Sequence, residues 1–265
     1  MAQDTAIAWT DHTFNIAWGC MKVSPGCAKC YAERQSAERD PVPGRKLWGP
    51  GSERRTFGAK HWAEPLAWNA AAIREQRRHR VFACSFCDAF EDHPTIVTER
   101  AKLFDAIRLT PALDWQLLTK RPENFARFLP ADWGQGWPNV WLGVSIETMD
   151  YAGRADILRG IPAAVRFLSY EPALGPLDGL DLTGIDWVIY GGESGPGFRG
   201  HDLAWPRAMR AKCEAAGIAF FYKQSPAHRT EMGTTLDGET VRKYPTPRAP
   251  GGGNLAPRPP QGTLF

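Results

Sequence analysis

Six short, unbroken apolar runs recur along the chain: VFACS at 81–85, WQLLT at 115–119, NVWLGVS at 139–145, RFLSY at 166–170, DWVIYG at 186–191 and IAFFYK at 218–223. Their β-branched and aromatic content suits strands buried on both faces. Amphipathic patterns separate several of them. Ile96, Leu103, Phe104 and Ile107 share one stripe over 95–108, and 122–129, 149–160 and 204–216 read as further helical segments. Strand alternating with helix means a parallel sheet, and this many repeats predict a partial or complete β/α (TIM-like) barrel, with a doubly wound open sheet as the alternative. At 265 residues and 43% hydrophobic content, the chain can bury the core of one barrel-sized domain.

In a β/α barrel, functional residues gather at the carboxyl ends of the strands. Polar residues stand at each such end here: Ser85 and Asp88, Lys120 and Arg121, Ser145 and Glu147, Ser169 and Glu171, Gly191 to Glu193, and Lys223 with Gln224. One such pair is ordinary strand-end capping. Six strand ends with the same habit point to a shared ligand pocket.

Cysteine spacing supplies the chemistry. Cys20, Cys27 and Cys30 lie in GCMKVSPGCAKCYAE, where Pro25 and Gly26 provide the turn that lets the last two face the same point as the first. Thiolates are soft ligands, so iron–sulfur and zinc are the candidates. Three cysteines suit a cluster with one iron left open to react. Zinc competes, because Cys27-x2-Cys30 is followed by a second pair, Cys84-x2-Cys87, and two such pairs make a structural zinc site. Zinc leaves Cys20 unused. The second pair is a candidate for a further metal or for a redox disulfide.

The segments WTDHTFNIAWGC (9–20), SPGCAKCYAER (24–34), LLTKRPE (117–123), WLGVSIE (141–147), RFLSYEPALGPL (166–177), WVIYGGESGPGFR (187–199) and FFYKQ (220–224) resemble a phage-associated, three-cysteine-motif family classed as radical-SAM-like. The resemblance covers the chain to about Gln224. It implies a barrel of radical-SAM type and a four-iron four-sulfur cluster on Cys20, Cys27 and Cys30. S-adenosylmethionine would bind the open iron and be cleaved reductively to a 5'-deoxyadenosyl radical, with an external electron donor. GGESG at 191–195 is similar to the element that receives the methionine amino group, which makes Gly191, Gly192 and Glu193 cofactor-binding candidates. Lys120 is a candidate for the methionine carboxylate or a substrate phosphate. Lys29 precedes the last cysteine where an aromatic is usual, so Tyr31 is taken to fill that place. Ser145, Glu147 and Glu171 complete the candidate set.

From Pro41 to Arg80 the strand and helix rhythm breaks. Arg45, Lys46, Arg54, Arg55, Lys60, Arg74, Arg77, Arg78 and Arg80 are interleaved with Trp48, Phe57, Trp62 and Trp68. This composition suits contact with a nucleic acid or nucleotide, and equally a solvated helix with its tryptophans packed beneath a loop. Residues 225–265 form an extension that ends in a Pro- and Gly-rich stretch expected to be flexible. There is no apolar run long enough to span a membrane and no secretory pattern at the start. Six clustered cysteines suit a reducing compartment, so the cytoplasm is expected. Two functions follow: a radical-SAM-type enzyme acting on a nucleic-acid-related substrate, or a zinc-stabilised nucleic-acid-binding or adaptor protein without redox chemistry.

Overall fold

The computed structural model describes residues 5–248. Seven strands form one sheet: β1 (His12–Phe14), β2 (His79–Ala83), β3 (Leu113–Thr119), β4 (Val140–Ser145), β5 (Val165–Tyr170), β6 (Trp187–Gly191) and β7 (Ala219–Gln224). They lie in sequence order, every neighbour parallel, and the sheet curls into a half-barrel. The helices are α1 (Tyr31–Arg39), α2 (Ala59–Trp62), α3 (Glu64–Arg74), α4 (Pro94–Leu109), α5 (Phe125–Phe128), α6 (Gly153–Arg159) and α7 (Ala204–Ala215).

The six apolar runs became β2 to β7. β1 was not expected, because His-Thr-Phe is three residues long with a single strongly apolar side chain. His12 is buried all the same, stacked on Trp68 at 4.5 Å and within 3.0 Å of a ring nitrogen of His79. The segments 122–129 and 149–160 are less helical than expected. Each opens with a three-residue turn, Pro122–Asn124 and Met149–Tyr151, before α5 and α6.

Alternation along the strands divides the apolar residues between two layers. Leu117, Leu142, Val144, Leu168, Tyr170, Val188 and Tyr190 belong to the layer that includes the stripe of α4, namely Ile96, Leu103, Phe104 and Ile107. Phe82, Trp141, Phe167, Trp187, Ile189 and Phe221 fill the concave side around Trp9. Trp9 meets Phe82 at 4.6 Å and Trp187 at 6.1 Å, so the segment before β1 plugs the base of the barrel.

Gly143 sits in register with Phe167, and a Cβ there would lie 2.4 Å from the phenyl ring. Gly143→Ala is therefore expected to cost about 1–3 kcal/mol through overpacking. A urea titration checks this, and a midpoint shift with an unchanged slope assigns the loss to stability.

The chain beyond Gln224 covers the edge of β7. Tyr222 N–H donates to Val241 O at 2.8 Å and Lys243 N–H to Phe220 O at 3.0 Å, which occupies groups that an open edge would expose. Trp187 Nε1 donates to Lys243 O at 2.9 Å, and the Tyr244 hydroxyl donates to Ala8 O at 3.1 Å. The extension up to 248 is thus packed against the sheet. The stretch from 249 onward, expected to be flexible, lies outside the described residues. No helix among the described residues is long and apolar enough to cross a membrane.

Candidate functional site

The chain leaves β1 and runs over the carboxyl ends of the strands before entering α1. Gly19 has φ +112°, and a Cβ there would lie 2.2 Å from Leu47 O, so only glycine fits immediately before Cys20. Cys27 ends the turn at Pro25–Cys27, and Cys30 is the N-cap of α1. All three thiols line one cavity of about 1150 Å³, counted to its open mouth.

Strand ends supply the rest of the wall. Cys84, Ser85, Cys87 and Asp88 follow β2, and Thr119, Lys120 and Arg121 come from β3. Ser145, Ser169, Glu171, Gly192, Glu193 and Lys223 complete the contribution of the four later strands. Tyr31 lines the cavity too, and its hydroxyl donates to Ser85 O at 3.1 Å.

Two candidates have a different place. Glu147 does not line the cavity and is fully buried behind it. It accepts from Ser24 Oγ at 2.6 Å and from Arg154 Nη1 at 3.0 Å, and pairs with Lys120 Nζ at 3.2 Å. Burial alone would lower the Lys120 ammonium, but the Glu147 charge outweighs it and holds Lys120 above its ordinary range. A Cβ on Gly26 would lie 2.5 Å from Glu147 Oε1. The carboxylate is therefore an anchor for the cysteine loop. Gly191 also lies off the cavity wall, and a Cβ there would meet Glu171 Cδ at 2.7 Å. Its role is to make room.

Glu193 reaches the cavity already engaged. Arg199 donates to it from the backbone at 2.8 Å and from Nε at 2.9 Å, and Nη2 pairs with the second carboxylate oxygen. That Nη2 also donates to Pro25 O at 3.1 Å, which ties the β6 end to the cysteine loop. Arg199 closes the segment WVIYGGESGPGFR, but nothing in the sequence marks it as the partner of Glu193. Glu171 is likewise paired, with Lys223 Nζ at 2.5 Å.

Burial would raise the Glu193 carboxyl, but the Arg199 hydrogen bonds and charge prevail and hold it below the ordinary value. A depressed carboxyl stabilises the fold fully above its unfolded-state pKa of about 4.3, and that contribution is lost as pH falls through the folded value. The stability difference between wild type and Glu193→Gln is expected to shrink steadily below about pH 4. Thermal melts of both proteins across that range check it.

Arg121 Nη1 donates to Asp88 Oδ2 at 3.0 Å and to Cys20 Sγ at 3.5 Å. Sequence marks Arg121 only as the neighbour of Lys120. Burial raises the Cys20 thiol despite this guanidinium, and raises Cys30 against the pull of the amides at the start of α1. Among the described residues no three His, Cys, Asp or Glu side chains converge on one metal position, and all six cysteines are free. The donor set nevertheless suits a group held by three thiolates, since three soft ligands on one loop share one cavity. Binding would displace the thiol protons.

The basic segment before β2 spends many of its charges internally. Arg54 makes a two-pronged pair with Glu91 at 2.8 and 2.9 Å, both residues buried. Arg77 and Arg80 hold Asp11, Arg78 holds Asp114 at 2.9 Å, and Arg55 lies 4.3 Å over the Trp18 ring. Trp68 is core. Lys46, Lys60 and Arg74 remain exposed.

Fold and cavity together define a parallel β/α half-barrel protein with a thiol-rich pocket at the carboxyl ends of its strands. Residues 4–245 match the family described as "Protein of unknown function (DUF5131)", and the chain belongs to that family. Neither a curated protein nor a solved structure matches the chain.

Proposed function

We propose that the protein is a radical-SAM-type iron–sulfur enzyme, with Cys20, Cys27 and Cys30 as the cluster ligands and S-adenosylmethionine as co-substrate. The observation that carries this reading is that three cysteines of one loop line a single cavity to which six parallel strands contribute polar ends. Once bound, the cluster would supply an electron, received from an external donor, for reductive cleavage of the sulfonium.

The chain's own residues orient and enclose. Glu147 and Arg199 hold the cysteine loop against the β4 and β6 ends through Ser24 and Pro25. Arg121 sets a positive charge beside Cys20, which favours the thiolate that a metal requires. Trp9, Phe82 and Leu118 give the cavity an apolar base that limits water around a reactive species. The substrate class proposed is nucleic-acid-related, supported by the cations still exposed on the insertion.

The test is anaerobic reconstitution with iron and sulfide, followed by metal analysis and electron paramagnetic resonance with and without S-adenosylmethionine. About four irons per chain and a signal that changes on adding S-adenosylmethionine are expected. One tightly held zinc and no cluster would leave a structural metal protein instead.

A further inference from the structure

Ser169, Glu171 and Lys223 line the cavity at the ends of β5 and β7, and the chemistry proposed above gives none of them a task. Ser169 is 4% exposed, and among the described residues its hydroxyl has no hydrogen-bond partner. A buried hydroxyl left unpaired is costly, so it calls for a partner from inside the cavity. Lys223 is 6% exposed and donates to Glu171 Oε1 at 2.5 Å. That uses one of its three N–H groups. The other oxygen of Glu171 accepts no hydrogen bond among the described residues.

The surrounding backbone holds this pair in place. Glu171 reaches Lys223 past the end of β6, where Gly191 leaves the room, since a Cβ on it would lie 2.7 Å from Glu171 Cδ. The next residue of β7 is pinned as well. Gln224 Nε2 donates to Gly192 O at 2.9 Å, and its Oε1 accepts from Glu231 N–H at 2.7 Å. Trp9, Phe82 and Leu118 form an apolar part of the same wall.

Together the ammonium and the carboxylate carry no net charge. A phosphate or a ligand ammonium would have to pull one partner away and leave the other's charge buried alone, which is costly. A neutral group with an acceptor beside a donor satisfies both at once. It takes an N–H from Lys223 and gives one to the free oxygen of Glu171, while the Ser169 hydroxyl can donate or accept alongside. The hydrogen-bonding edge of a nucleobase has this form, and its flat faces suit apolar and aromatic side chains.

We infer that Ser169, Glu171 and Lys223 form a subsite that reads the edge of a nucleobase. This deepens the nucleic-acid-related substrate proposed above and rests on that reading. Lys22 and Lys29 line the same cavity and are exposed, so they supply cations for phosphates where the base belongs to a strand.

Fluorescence anisotropy compares a short single strand of mixed sequence with an abasic strand of equal length, and saturation-transfer NMR reads free nucleosides. Both use the full chain, iron-free and reconstituted with S-adenosylmethionine. The base-bearing strand is expected to bind at least about tenfold tighter than the abasic one. A nucleoside signal without that preference would make a free nucleoside the ligand. Ser169→Ala and the double variant Glu171→Gln with Lys223→Met should each weaken base-dependent binding, the double by about tenfold, and leave binding of the abasic strand unchanged. The double variant strands no charge, and Ser169→Ala keeps the test open if it folds poorly. Equal binding of the two strands with no nucleoside signal in either form overturns the inference, as does unchanged base-dependent binding in every variant that folds. Metal content is read on the same samples. Base-dependent binding with zinc and no cluster would sink the enzyme and leave the subsite, whereas a cluster that responds to S-adenosylmethionine without base-dependent binding would do the reverse.

Discussion

Cys20→Ala is expected to lower the iron retained after reconstitution from about four atoms per chain to well under one, and to remove the broad visible absorption of the reconstituted protein. In the proposed cluster each of the three thiolates would be needed as a ligand, so loss of one would leave the group without a full donor set. Neighbouring side chains offer no replacement, because Asp88 and Glu91 are already held by Arg121 and Arg54. Cys213→Ala is the control. It removes a thiol buried in the core on α7, and it should leave the iron content unchanged while costing some stability. Zinc in place of iron, with indifference to Cys20→Ala, would end the radical-enzyme reading.

Glu147→Ala should produce the largest loss of stability. Its carboxylate is fully buried, while Arg154 is 9% and Lys120 20% exposed at the side chain. Removing the acid leaves two cations without their shared partner, and breaking a buried pair in this way costs about 3–5 kcal/mol. At about 2–4 °C per kcal/mol for a domain of this size, the melting temperature should fall by roughly 6–20 °C. The same substitution frees Ser24 and the turn at Gly26, so iron retention should drop even at temperatures where the variant is folded. Adding Lys120→Met removes one stranded charge and should restore part of the stability but not the iron. A fall of less than about 1 kcal/mol in Glu147→Ala would show that the pair is solvated and no anchor.

Much of the scaffold is legible in the chain because a strand covered on both faces must be apolar at successive positions. That requirement is local. β1 escapes it, since His12 is buried through partners that lie more than fifty residues away, Trp68 and His79. The extension after Gln224 hides for a related reason. Its contact with β7 is made by backbone groups of Val241 and Lys243, which leave no side-chain pattern.

The site divides along the same line. The three-cysteine spacing and the polar residues at the strand ends can be read by position alone, because a parallel barrel delivers every strand end to one rim. Whether a charged side chain at that rim is available to a ligand cannot be read this way. Glu193 looks like an acceptor until Arg199 is seen on it, and Arg80 looks like a surface cation until Asp11 is seen beneath it.

Sequence alone therefore marked six of the seven strands and the longer helices between them, and it singled out the cysteines as candidate ligands, since periodicity and spacing are properties of neighbouring residues. Tertiary structure alone decided that Glu147 braces the cysteine loop, that Gly191 makes room for Glu171, and that Cys84 and Cys87 line the same cavity as the three-cysteine loop. These outcomes depend on distances between groups far apart in the chain. Coulomb energy and steric contact are set by those distances and not by separation in sequence.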